Sequence, residues 1–303
     1  MLIARITGGI GNQLFQYAFI RSLSLKINVK YKLDLSWYRD YEKYENAHNP
    51  NAATKREYLL DKFKINEKLL SPSYLRASYK INNSSLLNPC KNIFPLNYFS
   101  YNTITEHTFD IDDIKSHKNT YLTGFWQKSD LFEEYDALLK KEFILTNSLN
   151  KDNQNFMENI SASNSVAVHI RRGDLLSRPA AVRDQPYSSN KYFSDGIDII
   201  KNDVSDPHLF VFSDDIAWVK KNFHFDIPST YVDNDGPDYE HFGLMCNCKH
   251  QVIANSTFSW WAAWMNNYPN KKIIAPKWWY RDPVKNESII RIPDNWIIID
   301  NLN

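Results

Sequence analysis

In the second half of the chain, short apolar runs alternate with stretches of helical spacing. Ser165–Ile170, His208–Ser213, Gln251–Ala254, Lys272–Ala275 and Trp296–Ile299 read as strands, too short and too apolar to be surface helices. Between them, Tyr192–Lys201, Ile216–Phe223, Tyr239–Cys246 and Phe258–Asn266 carry the 3.6-residue period. Strand and helix in alternation predict a parallel, doubly wound sheet. Within the first of these runs Val166, Val168 and Ile170 alternate with Ala167, His169 and Arg171. His169 and Arg171 therefore share one face, and Arg172 turns the other way.

The first half opens with a second β-α-β pattern. Leu2–Thr7 reads as a strand. Asn12–Leu25 reads as a helix, with Leu14, Phe15, Ala18, Ser22 and Leu25 in register, and Val29–Leu35 as a further strand. Residues 36–116 are polar and rich in Tyr and Asn, with short helices expected near Glu57–Phe63 and Leu69–Arg76. Thr120–Gln127 reads as a strand leading into a helix near Asp130–Phe143. The Asn- and Ser-rich Thr146–Ser165 is the expected linker, with one helix across Gln154–Ile160. This predicts two α/β domains, 1–150 and 151–303, with a cleft between them.

Length and charge agree with that division. At 303 residues the chain exceeds the roughly 100–200 of one domain. With 36 basic and 35 acidic side chains the net charge is +1, which argues against a nucleic-acid partner or a polybasic membrane tail. No apolar stretch approaches the roughly 18–20 residues of a membrane-spanning helix. The N-terminus runs directly into a strand, so no signal peptide is expected. Three cysteines, Cys90, Cys246 and Cys248, make neither a disulfide framework nor a usual zinc pair. A cytoplasmic, reducing compartment is expected.

Glycine is scarce, eight in all, yet Gly8, Gly9 and Gly11 fall within four residues at a strand-to-helix turn. Such a turn aims backbone N–H groups at an anion. Gly9 and Gly11 with Asp34 sketch a dinucleotide fingerprint, but Leu14 occupies the third glycine position. A tight turn without ligand explains the same residues. His169-Ile170-Arg171-Arg172-Gly173-Asp174 puts an arginine fork at the carboxyl end of a strand, where it suits a phosphate. A surface charge cluster is the plainer alternative. Phe212-Ser213-Asp214-Asp215 offers carboxylates for a guanine edge or a ribose, or simply a helix cap. Asn255-Ser256-Thr257-Phe258 opens an apolar helix with hydroxyls and free amides, a seat for an anion or an ordinary cap over a tryptophan core. Together these motifs favour a nucleoside diphosphate. A nicotinamide cofactor would use only the first of them.

Gly9-Ile10-Gly11-Asn12-Gln13, Tyr121-to-Gln127, His169-to-Asp174, Phe212-to-Asp215 and Asn255-to-Trp261, in this order over nearly the whole chain, resemble the α-1,2-fucosyltransferases of glycosyltransferase family 11. The resemblance implies a GT-B architecture of two Rossmann-like domains. The C-terminal one would bind GDP-β-L-fucose and the N-terminal one the acceptor. It implies inverting transfer to the 2-hydroxyl of a β-galactoside, in the synthesis of a bacterial surface glycan such as O-antigen. The acceptor would be lipid-linked and the enzyme cytoplasmic, with or without peripheral contact at the inner membrane face. Arg171 would bridge to the β-phosphate, with Asn255, Ser256, Thr257 and the Phe258 amide completing the cradle. Gly9, Gly11 and Arg172 would also contact the donor. His169 would orient phosphate or ribose, and Asp215 with Asp214 would read guanine. Asn12 would touch the transferring sugar or attacking hydroxyl, and Trp126 and Gln127 the acceptor. Asp174 is the carboxylate nearest to Arg171 in sequence and stands as general base or as an arginine partner. No cofactor and no metal are expected. Three alternatives stay open: a nicotinamide oxidoreductase using the Gly9/Gly11 turn, a metal-dependent transferase using Asp233 and Asp235, and a non-catalytic nucleotide-sugar binder. Oligomeric state is not legible.

Overall fold

The computed structural model describes residues 1–39, 56–83, 101–115, 119–172, 184–289 and 292–302. Two compact units emerge. Unit 1 comprises the described parts of 1–61 and 65–142, and unit 2 comprises 62–64 with the described parts of 143–303.

Unit 1 is a four-stranded parallel sheet ordered β2-β1-β4-β3, formed by β1 (Leu2–Arg5), β2 (Tyr31–Asp34), β3 (Asn102–Thr105) and β4 (Thr120–Thr123). Helix α1 (Ile10–Lys26) crosses from β1 to β2 and is buried along most of its length, Gln13 and Gln16 included. It ends where Asn28 takes a positive φ of 53°, Val29 N–H donates to the Ser24 carbonyl, and Ser24 Oγ donates back to the Val29 carbonyl at 2.6 Å. Asn tolerates that left-handed conformation better than most residues. The strand expected to run to Gln127 stops at Thr123. Gly124 turns the chain, and Glu106 accepts from the Phe125 and Trp126 amides there.

Unit 2 is a six-stranded parallel sheet ordered β10-β9-β8-β5-β6-β7. Its strands are β5 (Asn164–Ile170), β6 (Pro207–Ser213), β7 (Ser229–Tyr231), β8 (His250–Val252), β9 (Ile273–Pro276) and β10 (Ile297–Ile299). One face packs Val166, Val168, Ile170, Val211, Val252 and Ile274 against helix α2 (Asn190–Lys201) through Tyr192, Phe193, Ile197 and Ile200. Gly196 lets that helix approach closely: a Cβ there would sit 3.0 Å from Val252 and 3.1 Å from Ile274. Helix α3 (Thr257–Met265) sinks Trp260 and Trp261 completely. Trp261 meets Phe143 edge-on at 5.2 Å, and Trp260 meets Trp296 at 5.7 Å. Truncating either tryptophan would cost roughly 3–5 kcal/mol.

Three local expectations need correcting. Residues 57–63 form only a single 3₁₀ turn, Leu60–Lys62, after which Phe63 bridges to Leu145. The helix expected across Gln154–Ile160 is present and longer, Lys151–Ala162, so the segment read as a linker is mostly helix; Asn150 Oδ1 caps it by accepting from the Asn153 amide at 2.9 Å. Polar composition misled there, because this helix is amphipathic and buries only Asn153 and Ile160. The helix expected near Asp130–Phe143 is two 3₁₀ turns followed by Asp136–Glu142.

Candidate functional site

In unit 2 the chain runs outward from β5 in one direction through β6 and β7, then in the other through β8, β9 and β10. The order reverses between β5 and β8. Parallel sheets bind ligands at such a switch point, outside the carboxyl ends of the strands. Arg171 leaves β5 at that place. Its Nη1 donates to the Asn255 carbonyl beyond β8 at 3.0 Å and to Gln185 Oε1 at 3.4 Å. Asn255 is fixed in turn by its side-chain amide donating to the Pro186 carbonyl at 2.8 Å.

Arg172 diverges from its neighbour, as strand alternation predicts. Its amide donates to Asp214 Oδ1 at 2.7 Å, and its Nε lies 3.4 Å from Asp215 Oδ2. The guanidinium stacks 3.8 Å above the Trp218 ring. Asp215 also caps the helix Ile216–Asn222, accepting from the Trp218 amide at 3.3 Å, while Ser213 Oγ accepts from the Asp215 amide at 3.0 Å. Arg172, Asp215 and Trp218 thus brace one another beside the end of β6.

His169 is buried on the face opposite Val168 and Ile170, with its ring 5.6 Å from that of Phe258. Ser256 is the N-cap residue of α3, but no side-chain bond caps that helix. The Ser256 amide donates to the Ala254 carbonyl at 2.8 Å, and the start of α3 brings the Thr257 and Phe258 amides and a positive dipole end beside Arg171. Ser259 Oγ turns inward to the Ala254 and Ser256 carbonyls at 3.3 and 3.2 Å.

In unit 1 the carboxyl ends of the neighbouring strands β1 and β4 come together. Asn12 Oδ1 accepts from Gln127 Nε2 at 2.9 Å, joining the turn after β1 to the turn after β4. Gln16 bridges the same two turns through the Thr7 amide and hydroxyl and the Gly124 carbonyl. Gln13 instead holds the 57–59 segment, donating to the Glu57 carbonyl and accepting from the Leu59 amide. Gly8 has φ +79°, and a Cβ there would lie 2.8 Å from Asn12 Nδ2. Gly9 is the N-cap of α1, with the Arg56 guanidinium 3.6 Å from its would-be Cβ, and Gly11 is buried within the helix. Trp126 is buried, its ring stacked 4.0 Å from Phe19, so its bulk fills the core. Gln127 is the group of that pair that reaches Asn12.

Asp34, the acid a dinucleotide site would need for ribose, is 1% exposed. Its carboxylate accepts from Tyr121 Oη at 2.5 Å and from the Ser36 amide at 2.8 Å. Both oxygens are engaged inside the sheet, which takes away the nicotinamide reading's ribose anchor. In the Asp233-Asn234-Asp235 triplet, Asp233 forms an ion pair with Lys220, and Asn234 is held between Asn153 and His241 at 2.8 Å each. In the other such triplet, Asp110 Oδ1 accepts from the Asp112 amide. Asp233, Asn234 and Asp110 thus make local contacts. Cys246 and Cys248 are free thiols whose pKa burial pushes well up. Asp174 and Cys90 lie outside the described residues.

Sequence reading missed Gln185 and Trp218 in unit 2, and Gln16, Arg56 and Glu106 in unit 1. Only Trp218 had a local signal, standing three residues after a capping Asp.

The family model for glycosyl transferase family 11 matches residues 1–300. An alpha-1,2-colitosyltransferase of Escherichia coli is 31% identical over 304 residues, covering 99% of each chain. A galactoside 2-alpha-L-fucosyltransferase of Bos taurus is 27% identical over 152 residues, 48% of this chain and 41% of that one. The solved structure of POFUT1 in complex with GDP aligns with a TM-score of 0.50 at 10% identity, covering 90% of this chain and 97% of that one. At that identity the likeness speaks for the fold alone, and the fold is of the GT-B type, each unit a Rossmann-like parallel sheet. With the family model matched almost end to end and a full-length relative beside it, the chain belongs to glycosyltransferase family 11.

Proposed function

We propose that the protein transfers L-fucose from GDP-β-L-fucose to the 2-hydroxyl of a β-galactoside, with inversion at the anomeric carbon and without a metal ion. The observation that carries this reading is Arg171, set at the β5–β8 switch point by the Asn255 carbonyl and Gln185, beside the open start of α3. The acceptor oxygen attacks C1 of the sugar while the bond from C1 to the β-phosphate oxygen breaks, through an oxocarbenium-like state. Negative charge grows on the departing β-phosphate. The Arg171 fork, the Ser256 hydroxyl, Thr257 and the Phe258 amide stabilise it where a divalent ion would otherwise be needed. His169 orients the phosphates or ribose. Guanine is read at the end of β6 by Asp214, while Asp215 holds the local scaffold and Arg172. Gly9 and Gly11 let the backbone of this turn approach the transferring sugar.

Unit 2 takes the donor and unit 1 the acceptor, where Asn12 and Gln127 meet the sugar or the attacking hydroxyl. The acceptor's proton goes to a base, for which Asp174 is the sequence candidate. The acceptor is a glycan on a lipid carrier at the cytoplasmic face of the membrane. No helix among the described residues is long and apolar enough to cross a membrane.

The two relatives reported above differ in the sugar their names carry, colitose or fucose, and share α-1,2 or 2-α linkage. A GDP-colitose donor is therefore the second reading, favoured by the colitosyltransferase relative that matches along the whole chain. A donor panel of GDP-fucose, GDP-colitose and GDP-mannose, scored by release of GDP with a β-galactoside, and a thermal-shift comparison of GDP with NAD separate these readings. GDP released from GDP-fucose supports the first. Turnover confined to GDP-colitose moves the assignment to the second, and a response to NAD alone removes both.

A further inference from the structure

Trp126 has a positive φ of 57°. Glycine takes that conformation freely, whereas a bulky side chain there is strained. Strain of this kind persists only where the surroundings over-determine it, and it gathers at binding sites. In this turn the next side chain, Gln127, donates through Nε2 to Asn12 Oδ1 at 2.9 Å.

Three contacts hold the turn. The Trp126 indole is buried, stacked on Phe19 and met edge-on by Phe109 at 5.5 Å. Gln16 Nε2 donates to the Gly124 carbonyl at 3.0 Å, and Gln16 Oε1 accepts from the Thr7 amide at 2.9 Å. A backbone carbonyl only accepts and a backbone amide only donates, so the orientation of Gln16 is fixed. The third contact bears on the strained residue itself. Glu106 Oε2 accepts from the consecutive amides of Phe125 and Trp126, the second at 2.9 Å. Successive N–H groups in a turn form a nest for an anion, and this carboxylate fills it.

Register explains why Glu106 is there. Thr105 of β3 pairs with Thr123 of β4, so Glu106 and Gly124 face each other just past the strand ends. The Thr108 amide closes a turn on the Thr105 carbonyl at 3.1 Å and fixes Glu106 within it. Gly124 leaves the room, since a Cβ there would lie 2.7 Å from Glu106 Oε2. The other carboxylate oxygen lies 4.0 Å from Nε2 of the exposed His107.

We propose that Glu106 is a positioning residue for acceptor recognition: its carboxylate holds the Phe125 and Trp126 amides, keeps Trp126 left-handed and so delivers Gln127 to Asn12. This rests on the acceptor reading of Asn12 and Gln127 above and deepens it.

The test compares Glu106→Ala, which removes the accepting oxygen, with Glu106→Gln, which keeps one. Acceptor KM and kcat are measured with GDP-fucose and a β-galactoside, GDP affinity by calorimetry and folding by circular dichroism. Glu106→Ala should raise the acceptor KM about tenfold or more, the size of a lost charge-assisted hydrogen bond, with GDP affinity unchanged. Glu106→Gln should stay within about threefold of the wild type, because its amide oxygen still accepts. A Glu106→Ala enzyme that melts earlier but keeps its acceptor KM and kcat would overturn the inference, since Glu106 would then be scaffold alone. Glu106→Gln as damaged as Glu106→Ala, or a fall in GDP affinity, would overturn it too. If Glu106→Ala does not fold, Glu106→Asp takes its place: the carboxylate is one methylene short of the nest, a raised acceptor KM is expected, and an unchanged one counts against the inference. Crystal structures of the wild type and the shortened variant test the hold directly. Trp126 should leave its positive φ and Gln127 should part from Asn12; an unchanged turn overturns the inference whatever the acceptor. A wild type that transfers nothing to a β-galactoside is a separate outcome and overturns the acceptor reading itself.

Discussion

At the scale of single residues, two adjacent arginines of equal charge have been given different work. Arg171 reaches across the switch point to the Asn255 carbonyl, while Arg172 lies over Trp218 beside Asp215. Lysine keeps the charge at either position but supplies neither a planar fork nor a flat stacking surface. Arg171→Lys should reduce kcat by about 10²–10³, as loss of an aligned donor to developing charge does. Arg172→Lys should keep most of its turnover and lose about 1 kcal/mol of stability with the stacked contact. Measuring kcat, GDP affinity and thermal melting of both variants decides it; the opposite ranking would mean that the phosphate contact belongs to Arg172. This difference was legible in the sequence because strand alternation alone separates the two side chains. Gln185 was not legible. No local pattern marks it, and only the fold brings it to Arg171 at the end of β5.

At the scale of elements, the entry into α1 depends on one backbone conformation. Gly8 sits at φ +79°, and Tyr38 Oη and Gln13 Nε2 both donate to its carbonyl, at 2.9 and 3.0 Å. Gly8→Ala adds left-handed strain of roughly 1–2 kcal/mol and presses a methyl on Asn12. It should lower the melting temperature and transfer activity together while leaving GDP affinity in place; loss of GDP affinity instead would mean that this turn belongs to the nucleotide site. A second element-scale device is the chain His241–Asn234–Asn153–Glu240, which ties the loop after β7 to the helices Asp238–Asn247 and Lys151–Ala162. Burial holds the His241 pKa below its ordinary value of 6.5. The unfolded chain therefore binds the proton first, and this contribution to stability is complete above pH 6.5 and is lost as pH falls through that value toward the folded one. Melting temperatures at pH 7.5 and 5.5 should drop further for the wild type than for His241→Gln. Equal drops would show that His241 does not carry the effect. The clustered glycines announced the turn in the sequence. The short strands Asn102–Thr105 and Ser229–Tyr231 did not announce themselves, because three or four residues at a sheet edge carry too little apolar pattern to be seen.

At the scale of the whole molecule, both units are parallel sheets with candidate side chains at the carboxyl ends of two neighbouring strands, β1 and β4 in unit 1 and β5 and β8 in unit 2. That plan was readable from alternating strands and helices, and the motifs fell on the predicted strand ends. The division between the units was less readable. It follows Glu142, and Lys62–Lys64 belongs with unit 2, because Lys64 and Thr146 exchange backbone bonds with Ile144 and Lys62 across a sequence gap that no local pattern reveals. The proposed function adds that an arginine and a helix start would carry the charge of the leaving diphosphate, and that the sugar would pass to a 2-hydroxyl. The most direct test is the product itself. GDP-fucose and a β-galactoside are incubated with the protein in excess EDTA, and the linkage of the product is read by NMR. The account predicts an α-1,2-linked fucosyl galactoside, formed at a rate that added manganese changes little. A product with another linkage, or turnover that vanishes in EDTA and returns with metal, would contradict it.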